Sequence, residues 1–152
     1  MTDNAAQAGP AEALAQEPAL LLRPIGRVES PLLERADAPR QGDEGSPAAF
    51  LIFDEAMRAG IRDLAVGSDA LVLTWFDRAS REVLLVHPRG DRARPATGVF
   101  STRSPDRPNP IGLHRVTIIA IDGLRVQVQN LEALNGTPIL DLKPILGEFS
   151  ER

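Results

Sequence analysis

The stretch of this sequence richest in groups suited to chemistry runs from Gly98 to Leu113 and reads GVFSTRSPDRPNPIGL. It sets Arg103, Asp106, Arg107 and Asn109 among Pro105, Pro108 and Pro110, whose rings fix φ and remove backbone donors. Such a segment loses little backbone entropy on ordering, so it can present polar side chains in fixed directions, as a ligand site requires. The competing reading is an extended connector whose arginines are solvated or paired with Asp106 and Asp91. Residues 78–115 hold eight arginines against Glu82, Asp91 and Asp106, a local excess suited to an anion. Of the 17 basic residues only Lys143 is a lysine, and arginine offers a carboxylate or phosphate a planar fork where lysine offers a point charge. A GC-rich genome would also raise the arginine share, but it does not account for the clustering.

Several other chemistries are excluded by inventory. There is no cysteine, hence no thiol nucleophile, disulfide scaffold or thiolate metal site. His87 and His114 are the only histidines, too far apart for a metal-binding spacing, so no metal is expected. The phosphate-cradling patterns GxxxxGK[ST] and GxGxxG are absent, and Ser101 and Ser104 lack the GxSxG elbow of a serine hydrolase. His114, at the start of a strand, reads as a structural histidine. Trp75 and Phe76 read as core, with stacking on a base as the alternative. Asp141 and Lys143, two apart in an apolar run, share a strand face and read as a paired rim.

The elements that must position these groups are strands. Residues 1–19 are rich in Ala, Gln and Pro and are expected to form a disordered arm, so the domain should span 20–152. Ile25 and Val28 fall in a first strand that ends by Pro31. Residues 34–48 form a long loop carrying Arg40 and Gln41, and loops of that length in compact domains are often functional. Phe50–Phe53 is a second strand, after which Asp54 caps a short helix with Ala56, Ile61 and Leu64 on its apolar face. Ala70–Phe76 and Glu82–His87 read as a hairpin turning through residues 77–81. A second hairpin joins Val116–Ile121 to Leu124–Val128 around Asp122-Gly123. A last apolar stretch, Ile139–Leu146, follows the turn Asn135-Gly136-Thr137-Pro138. These strands point to a mostly-β fold, an antiparallel barrel or sandwich with one or two short helices.

With 152 residues, 43% hydrophobic and 25% charged, one domain with a real core is expected. No apolar run reaches the roughly 20 residues needed to span a bilayer, and the first twenty residues contain no Lys or Arg. The chain therefore reads as cytoplasmic, without membrane contact. Its net charge is −4, to which the arm contributes Asp3, Glu12 and Glu17.

The segment Gly98–Leu113 closely resembles the signature of the TrmO family, also called TsaA-like proteins. Three further segments fall in that family's order: Ile25-Gly26-Arg27-Val28-Glu29-Ser30-Pro31, Pro39-Arg40-Gln41, and Asn135 through Pro144, NGTPILDLKP. Together they span residues 23–146. The resemblance implies a single-domain β-barrel methyltransferase that uses S-adenosyl-L-methionine and acts on N6 of threonylcarbamoyladenosine in tRNA. It also implies a homodimer with the cofactor near the subunit interface. Matching positions for cofactor binding are Arg40, Gln41, Asp77, Arg78, Arg103 and Leu113, with Asn130 and Leu131 as a further wall. Asp77 stands where many members carry His, and Asn135 where many carry an acidic residue.

On this reading Arg103 binds the methionine carboxylate by a charge-assisted fork, while loop backbone groups and apolar walls hold the adenosine. The catalytic base is unknown, with Asp77 and Asp141 as candidates. The arginine-rich segment would then hold tRNA phosphates or the substrate carboxylate. Two other readings remain: a cofactor-binding sensor or small-molecule methyltransferase without tRNA activity, and an RNA-binding module without cofactor.

Overall fold

Aliphatic residues at every second position build the sheets of the computed structural model, which describes residues 18–147. Eight strands follow in chain order: β1 (Gly26–Glu29), β2 (Ala49–Phe53), β3 (Asp69–Trp75), β4 (Leu85–Val86), β5 (Thr97–Gly98), β6 (Ile111–Asp122), β7 (Arg125–Gln129) and β8 (Pro138–Pro144). The described residues divide into two compact units, one of residues 23–78 and 110–147, the other of residues 18–22 and 79–109.

In the first unit six strands pair in the order β1-β2-β7-β6-β3-β8, every pair antiparallel. β8 returns to β1 through Gly26↔Ile139 and Arg27↔Pro138, so the sheet closes on itself and leaves no strand edge unpaired. Because side chains alternate across a strand, one set faces the interior: Val28, Leu51, Phe53, Val72, Val116, Ile118, Val126, Val128 and Ile139 are all buried there. Leu51, with no exposed surface, contributes about 1.5–3 kcal/mol by its burial. β6 and β7 form the expected hairpin, but Asp122 pairs with Arg125, so the turn is Gly123-Leu124, one residue later than the sequence implies. Gly123 supplies the positive φ of 57° that this turn needs.

Two expectations are corrected. The helix after Asp54 does not form: residues 55–57 make a 3-10 turn, and Asp54 gives no side-chain cap. Gly60 follows, and the chain continues in turns such as Gly60 N–H to Met57 O at 2.8 Å and Leu64 N–H to Ile61 O at 3.1 Å. Ile61 and Leu64 still pack on the core, joined by Met57, whereas Ala56 of the expected apolar face is exposed, so part of the apolar spacing serves burial without an α-helix. Among the described residues the helices are 3-10 turns of three residues each.

The hairpin of 70–76 with 82–87 is also absent. Both edges of β3 are taken, by β6 and β8, and in the second unit β4 pairs instead with β5 through Leu85↔Gly98 and Val86↔Thr97. Seven consecutive partners on β6 outweigh a short local turn. The expected arm lies outside the described residues except for Pro18 and Ala19, which are exposed. Among the described residues no helix is long and apolar enough to cross a membrane.

Candidate functional site

In the closed-sheet unit, the loop after β1 carries Arg40 and Gln41, both exposed. It turns where Glu44 N–H donates to Gln41 O at 3.1 Å and Ser46 N–H to Gly42 O at 3.4 Å. A Cβ on Gly42 would fall 1.9 Å from the Asn130 carbonyl oxygen and 3.0 Å from Glu132 Oε2. Only glycine lets this turn lie against the chain that leaves β7, and the contact brings Gln41 and Asn130 to one place. Asn130 itself adopts a φ of +66°, a left-handed conformation that Asn tolerates better than most residues. Leu131 has no exposed surface and belongs to the core, so of the expected Asn130-Leu131 wall only Asn130 is exposed to a ligand.

Asp77 and Arg78 leave the end of β3, where Phe76 N–H donates to Pro110 O at 2.8 Å. The Arg78 guanidinium donates to Leu33 O at 2.9 Å, which ties this corner to the loop after β1. Leu113 lies on β6 with 45% of its surface exposed, between buried Gly112 and His114.

In the second unit the proline-rich loop is ordered by its own polar groups. Arg107 donates to the carbonyls of Ser104 at 2.7 Å, Val99 at 3.1 Å and Thr102 at 2.5 Å. Arg81 donates to Pro108 O and to Asn109 Oδ1, and Asp106 Oδ1 accepts the Ser80 N–H. These residues hold the loop rather than a ligand. Arg103 differs: it is exposed, and no hydrogen bond or ion pair to it is found among the described residues. The arginine cluster thus divides, with Arg78, Arg81, Arg107 and the Asp69-paired Arg115 committed to structure.

The sequence reading missed a buried polar chain. His114 Nε2 lies 2.7 Å from Thr74 Oγ1, and its Nδ1 lies 2.7 Å from Glu132 Oε1. A carboxylate only accepts, so Nδ1 carries the proton toward Glu132; a neutral ring then accepts the Thr74 hydroxyl at Nε2. The Phe76 ring meets the imidazole edge-on at 5.7 Å. A Cβ on Gly112 would lie 2.3 Å from Thr74 Oγ1, 2.5 Å from Phe76 Cζ and 2.7 Å from His114 Nε2. Glu132 Oε2 and Ser46 Oγ are the buried side-chain polar atoms without a partner among the described residues. No sequence signal joins residues 40 and 18 positions apart; His114 read as structural because its partners are set by strand pairing.

Asp141 and Lys143 form an ion pair at 2.8 Å, in keeping with a paired rim, and Asp141 Oδ1 accepts the Leu142 N–H at 2.9 Å. Asn135 Oδ1 accepts the Ser30 N–H at 3.1 Å, which gives the turn before β8 a structural role in joining it to the end of β1. Among the described residues no group of three or more His, Asp or Glu is placed to hold a metal ion.

The family described as tRNA-methyltransferase O N-terminal domain matches residues 27–150. The chain belongs to the TrmO N-terminal domain family. An S-adenosyl-L-methionine-binding protein of Archaeoglobus fulgidus is 43% identical over 125 residues, covering 82% of this chain and 88% of its own length. A probable S-adenosyl-L-methionine-binding protein of Methanothermobacter thermautotrophicus is 44% identical over 124 residues, covering 81% and 88%. The crystal structure of TrmO from Pseudomonas aeruginosa superposes with a TM-score of 0.66 at 27% identity, covering 83% of this TrmO-family chain. This chain spans 55% of that TrmO chain, about half its length.

Proposed function

We propose that this chain binds S-adenosyl-L-methionine and transfers its methyl group to N6 of threonylcarbamoyladenosine in tRNA. The observation that carries the proposal is the family match over residues 27–150, supported by relatives named as S-adenosyl-L-methionine-binding proteins. The side chains present suit that cofactor. Arg103, unengaged among the described residues, has a guanidinium fork suited to a carboxylate; in the closed-sheet unit Leu113 offers an exposed apolar surface, and Gln41 and Asn130 offer polar edges beside the Gly42 contact. Glu132 Oε2 is an acceptor without a donor near the same turn.

Bound, the cofactor supplies a methyl carbon activated by a sulfonium. With it in place, an N6–CH3 bond would replace the S–CH3 bond, the sulfur keeping the bonding pair, and the N6 proton would need a base on this chain. The protein contributes alignment and proton acceptance. Within the closed-sheet unit the Arg40-Gln41 loop and Asn130 would flank the nucleoside, and Leu113 would exclude water from one side. Asp141 has one oxygen on Lys143 and the other on the Leu142 amide, so it is poorly placed to take a proton. Asp77, exposed at the end of β3, is the better candidate for the base.

In this reading the closed sheet is a small β-barrel, and the working enzyme is a cytoplasmic homodimer. Transfer of labelled methyl from S-adenosylmethionine to bulk tRNA, followed by nucleoside mapping, tests the proposal. Label in methylated threonylcarbamoyladenosine supports it; label elsewhere, or none, contradicts it. The second reading, a cofactor-binding module without tRNA activity, is favoured by relatives named only as S-adenosyl-L-methionine-binding proteins and predicts binding without transfer.

A further inference from the structure

The buried chain Thr74–His114–Glu132 adjoins every candidate cofactor segment of its unit. Gly42, beside Gln41, lies against Asn130 and Glu132. Phe76, beside Asp77, packs on the His114 ring. His114 follows Leu113 on β6, and Glu132 comes two residues after Asn130.

The geometry of the chain leaves its members little freedom. His114 is clamped between a hydroxyl and a carboxylate at 2.7 Å each, with Phe76 against its edge and the bare Cα of Gly112 beside it. Holding Oε1 of Glu132 fixes the direction of Oε2, whose surroundings include Gly42. A buried acceptor without a donor is costly, and fully satisfied buried networks fix one arrangement of the groups around them. This network is complete except at the oxygen beneath the turn that carries Arg40 and Gln41.

We propose that Thr74, His114 and Glu132 are positioning residues for the cofactor, and that Glu132 Oε2 is the acceptor onto which the amide groups of the Gln41–Asp43 turn settle when S-adenosylmethionine binds. The proposal rests on the cofactor reading above. Glu132→Gln separates the two functions of the carboxylate, because it keeps an acceptor for His114 Nδ1–H while replacing the second oxygen by a donor. Thr74→Val removes the hydroxyl at nearly constant volume, and Thr74→Ser restores it.

The test is calorimetric titration of each variant with S-adenosylmethionine, with melting temperature and amide hydrogen exchange measured on the same samples. Outer partners of metal-ligating groups alter affinity by roughly 10–100-fold, and the lower end of that range is the yardstick for this cofactor. Glu132→Gln and Thr74→Val should each bind about tenfold more weakly, Thr74→Ser should bind like the natural chain, and the natural chain alone with Thr74→Ser should show cofactor-induced protection at residues 41–43. If the natural chain binds but Glu132→Gln and Thr74→Val bind equally well, or if affinity falls only in step with melting temperature, the positioning role is overturned and the cofactor reading stands. If the natural chain itself does not bind, the cofactor reading fails and takes the positioning role with it.

Discussion

Replacing Gly112 by Ala tests whether the interior beside β6 is as full as the structure describes. The added methyl would come within 2.3 Å of Thr74 Oγ1, 2.5 Å of the Phe76 ring and 2.7 Å of His114 Nε2. Two of those atoms are bonded to each other at 2.7 Å, so neither can retreat without breaking a buried hydrogen bond. Overpacking costs about 1–3 kcal/mol and a broken buried hydrogen bond about 1–3 kcal/mol more, giving roughly 4 kcal/mol. For a domain of this size that corresponds to a fall in Tm of about 10 °C. Scanning calorimetry at neutral pH measures it. Gly98→Ala is the control, because a Cβ there meets nothing within 4 Å and Gly98 already has a φ of −56°. A Gly112→Ala variant that melts within about 2 °C of its parent, as Gly98→Ala should, would refute the packing argument.

Three further outcomes are expected. Arg103→Ala should weaken S-adenosylmethionine binding by about tenfold or more, as loss of a charge-assisted fork does, with little change in Tm; equal affinity by calorimetry removes Arg103 from the site. Arg107→Lys replaces a planar fork that reaches three carbonyls from Nε and Nη2 by a compact ammonium without that span, so amide exchange and proteolysis within residues 99–109 should quicken, whereas unchanged protection would show that the prolines alone order the loop. Asp69 accepts hydrogen bonds from the Thr117 hydroxyl at 2.7 Å and Arg115 at 3.0 Å, and these hold its carboxyl below the usual range, the Thr117 hydrogen bond first, then the hydrogen bond and charge of Arg115. A depressed folded pKa stabilises above the unfolded value, about 3.9, and that stabilisation is lost as pH falls through the folded value. Asp69→Asn should therefore lower Tm slightly at pH 7, by about a degree or two for an exposed pair, with the gap closing as pH falls below about 3.9; a gap that persists in strong acid excludes this carboxylate as its source.

What the sequence made legible was local. The β-favouring runs at Phe50–Phe53 and Ala70–Phe76 identified β2 and β3 to within a residue, and the Asp-Gly turn marked the β6–β7 hairpin, although β6 begins at Ile111, five residues before the run at Val116. The family segments located the proline-rich loop and its arginines. The pairing of β3 was not legible, because its partners begin 36 residues later at Ile111 and a nearer apolar run, Glu82–His87, offered a shorter connection. The helix at 55–65 failed for a related reason: spacing marked Ile61 and Leu64 as buried, and tertiary packing satisfied them in turns around Gly60. In the site, residue types alone did not distinguish Arg107, engaged with three carbonyls, from Arg103, four residues earlier and unengaged among the described residues. The Thr74–His114–Glu132 chain exists only once β3, β6 and the segment after β7 are brought together.

The central claim is that this chain carries a site for S-adenosyl-L-methionine, and calorimetric titration of the purified protein with S-adenosylmethionine and its demethylated product tests it most directly. The account predicts saturable binding of both ligands by the natural chain and a marked loss for Arg103→Ala. A flat titration with folded protein at millimolar ligand would contradict it.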